Sequence, residues 1–230
     1  MQKSVLALAV LATASLPALA ESVDVRVTGT ITPVACTPTI AGGGTIDYGT
    51  IDPASISDTD YTVLPEKQVD FSIACDAPAK IAIKAINGRP NTLAGATEGV
   101  SGGKAPVVIF GSSNIHAFGL GLDGTARIGG YGIRLAKGTV QADGTAADSI
   151  YRNTPTDAWV STSGTGVGSL INAPSVRHVS WAAAGKVEPV AFTNMTGKLG
   201  VQAYINKGSE LDLSKPVTLD GLTTIELVYI

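Results

Sequence analysis

Charged and aromatic residues are scarce in this chain, at 15% and 5% of its 230 residues. The net charge is −3, and lysine and arginine form no cluster, so neither nucleic acid nor an anionic membrane is expected as a partner. Apolar runs stay far below the roughly 20 residues that a membrane-spanning helix needs. A helical period of 3.6 is not sustained over three turns in any segment, which argues against amphipathic helices.

Residues that could build a catalytic or metal site are also few. The chain has two histidines, His116 and His178, and neither has acidic or cysteine neighbours at metal-ligand spacing. The G-x-S-x-G turn of many serine hydrolases is missing. We therefore expect no catalysis, no metal and no cofactor, and we interpret His178 as a residue on the surface of a strand. An exported enzyme is the least favoured alternative.

Two other features have a structural and a functional interpretation. Gly119 to Gly124 match G-x-G-x-x-G, but a phosphate site of this type needs a helix opening directly after the turn. The residues that follow are poor helix formers, so a structural turn is predicted. Trp159 and Trp181 could line a sugar-binding face, although packing in the core or at its rim is favoured.

The first twenty residues are typical of a secretory signal. Lys3 supplies a positive start, an apolar run follows over 5–12, and residues 18–20 read Ala-Leu-Ala. This pattern predicts cleavage between Ala20 and Glu21, and hence export.

Cysteine occurs twice, at Cys36 and Cys75. An even number of cysteines in an exported chain predicts one disulfide bond. Zinc binding is the alternative, but two cysteines lack the third and fourth ligands that zinc requires.

Short alternating segments recur along the chain and are separated by glycine, proline, aspartate and asparagine. This pattern predicts an all-β sandwich or barrel. Residues 88–106 and 137–169 are predicted to be surface loops. Segments 68–75 and 79–86 are predicted to form a hairpin or adjacent strands. Further strands are predicted at 45–51, 107–110, 128–135, 176–181, 199–205 and 222–230.

The clearest alternation begins just after the predicted cleavage site. Positions 23–31 place aspartate, arginine and threonine on one face, and on the other face Val23, Val25, Val27, Gly29 and Ile31. A period of two predicts a strand with one apolar face. Such a strand could begin the chain's own sandwich, or it could be offered to another chain.

The N-terminal strand containing Gly29, the two cysteines after it and the penultimate Tyr229 together resemble pilins of the chaperone–usher pathway. The runs 27–38 and 43–49 are more narrowly similar to fimbrial-like proteins of Gram-negative bacteria that are catalogued as a domain of unknown function. The patches 118–121 and 128–131 are similar to the same group.

The resemblance implies an immunoglobulin-like, pilin-type β-sandwich that is incomplete and is completed by a donor strand. After the signal peptide (1–20), residues 21–32 would be the donor-strand extension and 33–230 a single domain. A Cys36–Cys75 bridge would tie the first strand to the second across the sandwich. The donor strand would fill a groove with Val23, Val25, Val27, Gly29 and Ile31, and the C-terminal chaperone-binding strand would present Ile225, Leu227 and Tyr229.

By the same resemblance, the protein would be a structural subunit of a surface fimbria. It would fold with a periplasmic chaperone, cross an outer-membrane usher and polymerise head to tail with other fimbrial subunits. The alternative is a fimbria-associated adhesin, or a tip or adaptor subunit, that binds a surface receptor or glycan. Pro216 departs from the pattern, because many pilins have a glycine ahead of the final strand.

Overall fold

The computed structural model describes residues 22–31, 34–162 and 167–230. The chain divides into two compact units, Met1–Pro33 and Val34–Ile230. The predicted signal peptide, with its cleavage site at Ala20 and Glu21, lies outside the described residues.

The predicted all-β class is confirmed, because regular structure in the described residues consists of strands and three short 3-10 helices. The helices are Ala41–Gly44, Pro53–Ser55 and Gly208–Glu210. None of the described helices is long and apolar enough to cross a membrane. The strands are β1 (Cys36–Ile40), β2 (Thr62–Val63), β3 (Lys67–Ala79), β4 (Ile81–Asn87), β5 (Gly103–Lys104), β6 (His116–Gly119), β7 (Leu122–Asp123), β8 (Ala126–Arg127), β9 (Gly129–Leu135), β10 (Gln141–Ala142), β11 (Thr145–Arg152), β12 (Val160–Ser161), β13 (His178–Ala183), β14 (Phe192–Ile205) and β15 (Thr223–Tyr229).

The named strands pair antiparallel, in the order β15-β4-β13-β11-β10-β14-β9-β6-β5. Strand β14 also pairs with β3, and β3 pairs with β1. Strand β3 pairs with β1 and β14 in one half of the network, whereas β4 pairs with β13 and β15 in the other half. These two consecutive strands therefore do not pair with each other. The predicted hairpin between them is therefore wrong. Pro78 continues β3 instead of reversing it, since an extended backbone suits proline and the residue before it.

One hydrophobic core collects side chains from both halves of the network. The alternation predicted in β3 is confirmed, because Phe71 and Ile73 are buried and point into this core. Trp181 of β13 is completely buried and meets Phe192 edge to face, with 5.5 Å between ring centroids. Two open antiparallel faces around one core are consistent with a β-sandwich.

Residues 88–106 are not a surface loop. Leu93, Ala94 and Ala105 are buried in a second hydrophobic cluster, together with Ile109 and Tyr204. The Tyr204 hydroxyl donates to the Ala94 carbonyl oxygen over 2.7 Å. The segment has few apolar side chains and no period, so its packing against Tyr204 leaves little trace in the sequence. The predicted strand at 107–110 is also wrong, since a turn with φ of 53° at Phe110 lies there.

The predicted loop at 137–169 contains strands β10, β11 and β12. Strand β11 pairs with β13 from Ala147 to Arg152. Its apolar face is built largely from small residues, so it shows little hydrophobic alternation. The Gly119–Gly124 stretch forms the predicted structural turn: Gly124 has φ of 61° between β7 and β8, and strands follow it.

The predicted disulfide between Cys36 and Cys75 is present and closes a sequence separation of 39 residues. The two cysteines lie directly opposite each other in β1 and β3. The bridge therefore joins neighbouring strands of one sheet, and not strands across the sandwich as expected. In the chain-entropy model, a loop of this size stabilises the fold by about 4 kcal/mol.

Candidate strand-binding groove

A long apolar groove of about 1040 Å³ opens in the Val34–Ile230 unit. Its floor is formed by apolar side chains of β9 and β14, and its two sides by the extended segments 45–51 and 211–225. The floor residues include Tyr131, Ile133, Leu199, Val201, Ala203 and Ile205. Apart from the half-buried Val201, these floor residues are buried, and they belong to the main core.

The first rim is the segment 45–51, which was predicted to be a strand but pairs with no other strand among the described residues. It nevertheless alternates, since Ile46 and Tyr48 are half-buried while Thr45, Asp47 and Gly49 are exposed. Polar contacts hold its backbone. Lys67 Nζ donates to the Asp47 carbonyl oxygen over 2.6 Å, and the Gly49 N–H donates to the Asp47 carboxylate over 2.7 Å.

Tyr48 anchors this rim at a gap in the pairing of β14. The pairing of β14 with β3 ends at Val201, and its pairing with β2 begins at Tyr204. Between these points, the Tyr48 hydroxyl donates to the Val201 carbonyl oxygen over 3.0 Å and accepts from the Ala203 N–H over 3.2 Å. Burial raises the pKa of Tyr48 above its ordinary value, so the hydroxyl stays protonated. One phenol thus satisfies two backbone groups and fixes the rim.

The second rim leads into β15. Its groove-facing side chains alternate with exposed ones, and they are Leu211, Leu213, Val217 and Leu219. The Asp220 N–H donates to the Leu120 carbonyl oxygen over 2.9 Å, and Arg89 donates to both carboxylate oxygens of Asp220 over 2.8 Å. The hydrogen bonds from Arg89 hold the pKa of Asp220 below its ordinary value. This rim was missed in the sequence, because Pro216 interrupts the alternation.

Strand β15 forms an edge along the groove. In the described part of the chain it pairs with β4 alone, from Thr223 opposite Asn87 to Tyr229 opposite Ile81. The backbone groups on its other side are therefore open to a further strand.

The three residues predicted for the chaperone-binding strand have different positions. Ile225 lines the groove, whereas Leu227 packs against the main core. Tyr229 is 53% exposed, and its hydroxyl accepts from the Cys36 N–H over 2.9 Å. This hydrogen bond joins β15 to β1 at a point beyond Ile225, which is the last residue of β15 that lines the groove.

The predicted donor segment, described by itself, has no regular secondary structure over 22–31. Val23, Val25, Val27 and Ile31 are between 85% and 97% exposed. A Cβ atom added at Gly29 would meet nothing within 4 Å, so this conformation does not require glycine there. The groove-filling role of these five positions stays a prediction.

The described residues contain no group of three or more histidine, cysteine, aspartate or glutamate side chains that could hold a metal. His178 is only 8% exposed, so its placement on a strand surface was wrong. It lies between Arg152 and the neighbouring strand β4, and burial lowers its pKa. His116 is half-buried on β6, and its pKa is lowered for the same reason.

Comparison with known proteins identifies relatives over nearly the whole chain. The model of the family described as "Protein of unknown function (DUF1120)" matches residues 25–132. "Protein GltF" of Escherichia coli (strain K12) is 30% identical over 241 residues, which cover 96% of this chain and 95% of that protein. "Uncharacterized protein YhcF" of the same strain is 25% identical over 220 residues, 91% of this chain and 90% of that protein. No solved structure matches.

Proposed function

The chain belongs to the DUF1120 family, and we propose that it is a structural subunit of a surface fimbria that polymerises by donor-strand exchange. The observation that carries this proposal is an apolar groove between two extended rims, in a chain whose residues 23–31 have an exposed, alternating apolar face. In the polymer, residues 23–31 of one subunit fill the groove of the next.

Strand addition supplies both affinity and specificity. The open edge of β15 provides backbone hydrogen bonds, and the groove accepts alternate side chains. Burying three valines and one isoleucine contributes about 6–12 kcal/mol gross, at ~1.5–3 kcal/mol each, before the cost of ordering the strand. Segments 45–51 and 217–225 both present apolar side chains towards the space that the strand would occupy.

The contact is heterologous, since one subunit offers its N-terminal segment and the next offers its groove. A head-to-tail contact that does not close into a ring produces a filament. Before assembly, a periplasmic chaperone covers the same groove, and an outer-membrane usher passes the subunit to the cell surface. In this role the protein performs no catalysis and needs no cofactor.

Deletion of residues 23–31 tests the proposal. We expect the truncated subunit to be exported, to fold and to be recovered with the chaperone, but not to enter polymers. A matched variant carries the same residues at its C-terminus through a flexible linker. It should be a more heat-stable monomer than the truncated chain, because its groove is filled from within. Normal polymerisation of the truncated chain would overturn the proposal.

A further inference from the structure

A row of ionisable side chains lies on the outer face of β11, β13, β4 and β15, which is the face that points away from the main core. Arg152 lies directly opposite His178. The pairing of Val179 with Ile83, both of which point into the core, places His178 beside Lys84 on the opposite face.

The far end of the row carries its one carboxylate. Lys84 lies opposite Glu226, and Lys84 Nζ is 2.6 Å from a Glu226 carboxylate oxygen. The positive charge of Lys84 therefore has a partner, which leaves Arg152 as the uncompensated charge of the row.

Arg152 has neither an ion-pair nor a hydrogen-bond partner among the described side chains, and its Nε is buried. Its guanidinium carbon lies 4.6 Å from the centroid of the Trp159 ring. Stacking on an aromatic ring restrains a guanidinium while leaving its terminal N–H groups available in the plane. Such a fork is suited to bidentate binding of an oxyanion.

His178 supplies a second observation at the same place. The side chain is 8% exposed, and its Nδ1 is buried without a hydrogen-bond partner. Buried polar atoms are normally paired, so an unpartnered nitrogen opposite a guanidinium without an ion-pair partner favours this place as a ligand site. Burial, followed by the charges of Arg152 and Lys84, lowers the pKa of His178.

The surroundings of Arg152 suit a sugar. Trp159 is half-buried, and the loop 154–158 beside it is exposed and carries Thr154, Thr156 and Asp157. The C–H face of a pyranose packs well on an indole ring, while hydroxyl and carboxylate groups bind sugar hydroxyls.

We propose that this face binds an acidic saccharide, with an oxyanion of the sugar on the Arg152 guanidinium beside His178 and the sugar ring at Trp159. A carboxylate and a sulfate share this chemistry, and the assay below separates them. The proposal is independent of the fimbrial function, because the site lies on the outer face of the sheet and shares no residue with the lining of the groove.

The test is binding of the purified full chain to an array that presents one oligosaccharide in carboxylated, sulfated and neutral forms. We expect binding to an acidic form and not to the neutral one. Arg152→Gln should weaken binding about tenfold or more, because a charge-assisted hydrogen bond is lost. Arg152→Lys should retain only part of the parent affinity, since an ammonium group lacks the planar, two-pronged geometry of a guanidinium.

Lys198→Gln is the matched control, because it removes one positive charge from β14, where Lys198 forms an exposed ion pair with Asp70 of β3. It should bind like the parent chain, and the melting temperature of each variant verifies folding. Binding should also strengthen as the pH falls, because an anion at the site raises the pKa of His178. Lys84 and Arg152 oppose that protonation and the Val176 carbonyl favours it, while the Glu226 carboxylate is paired with Lys84. Equal binding of acidic and neutral forms, no binding to any form, or equal loss in Arg152→Gln and Lys198→Gln would overturn the proposal.

Discussion

Two segments of this chain share one sequence pattern but differ in what covers their apolar side. In residues 45–51, Ile46 and Tyr48 are half-buried along the groove. In residues 22–31, Val25 and Val27 are 85% and 93% exposed. A period of two specifies an apolar face, but it does not specify which core the face joins. The difference lies in anchoring: Tyr48 carries a hydroxyl that bonds to β14, whereas the N-terminal face carries aliphatic side chains and Gly29.

The largest predicted effect comes from the disulfide that holds the strand leading into the first rim. Replacing Cys36 and Cys75 together by serine should lower the free energy of unfolding by about 4 kcal/mol. The loss should be the same in chains with and without residues 23–31, since the bridge joins β1 to β3. Denaturant unfolding of the chains with and without residues 23–31 measures this loss of unfolding free energy. A loss confined to the longer chain would contradict the assignment of the bridge to the folded domain alone.

Tyr48→Phe should have an intermediate effect. Without the hydroxyl, the Ala203 N–H and the Val201 carbonyl lose their partner, which costs about 1–3 kcal/mol of unfolding free energy. Tyr61→Phe is the control, because the Tyr61 ring packs edge to face on Tyr204 and its hydroxyl has no hydrogen-bond partner in the described part of the chain. Equal melting temperatures of the two variants would show that the hydroxyl does not hold the rim.

Val25→Asp should have the smallest effect on the isolated subunit. The side chain is 85% exposed, so the free energy of unfolding should change by no more than about 0.5 kcal/mol. A fall of several kcal/mol would show that the segment belongs to the core of its own chain, which is the alternative left open by its sequence pattern. Thermal unfolding of the chaperone-free monomer distinguishes the two results.

The sequence predicts the parts of the fold where large apolar residues alternate without interruption. Phe71 and Ile73 in β3, and Ile133 and Leu135 in β9, are buried as their pattern indicates. The disulfide follows from the number of cysteines and the predicted export, but the sheet that it lies in depends on strand pairing, which the sequence does not specify.

Other elements depend on contacts between distant parts of the chain, which produce no periodic pattern of apolar residues in the sequence. Strand β11 is built largely from small residues and is defined by its pairing with β13. Leu93 is buried because the ring of Tyr204 belongs to the same cluster, far along the chain. His178 is buried because cross-strand neighbours cover it, and only the register between strands reveals them.

The groove itself was implied only by a family resemblance. Its first rim carries a visible alternation, whereas its second rim is divided by Pro216. An unpaired sheet edge cannot be read from a pattern, because it is a property of how the strands pair. The open edge of β15 becomes visible only once β4 is known to be its partner.

The most direct measurement is the ladder of denaturant-resistant species released by shearing cells that express the chain. The parent chain should give a ladder, and Val27→Asp should abolish it, because a carboxylate would have to enter an apolar groove. Thr28→Asp places the same charge on the opposite face and should leave the ladder intact. Loss of the ladder in Val27→Asp alone is the predicted result. An unchanged ladder in Val27→Asp, or its equal loss in both variants, would contradict donation of this strand.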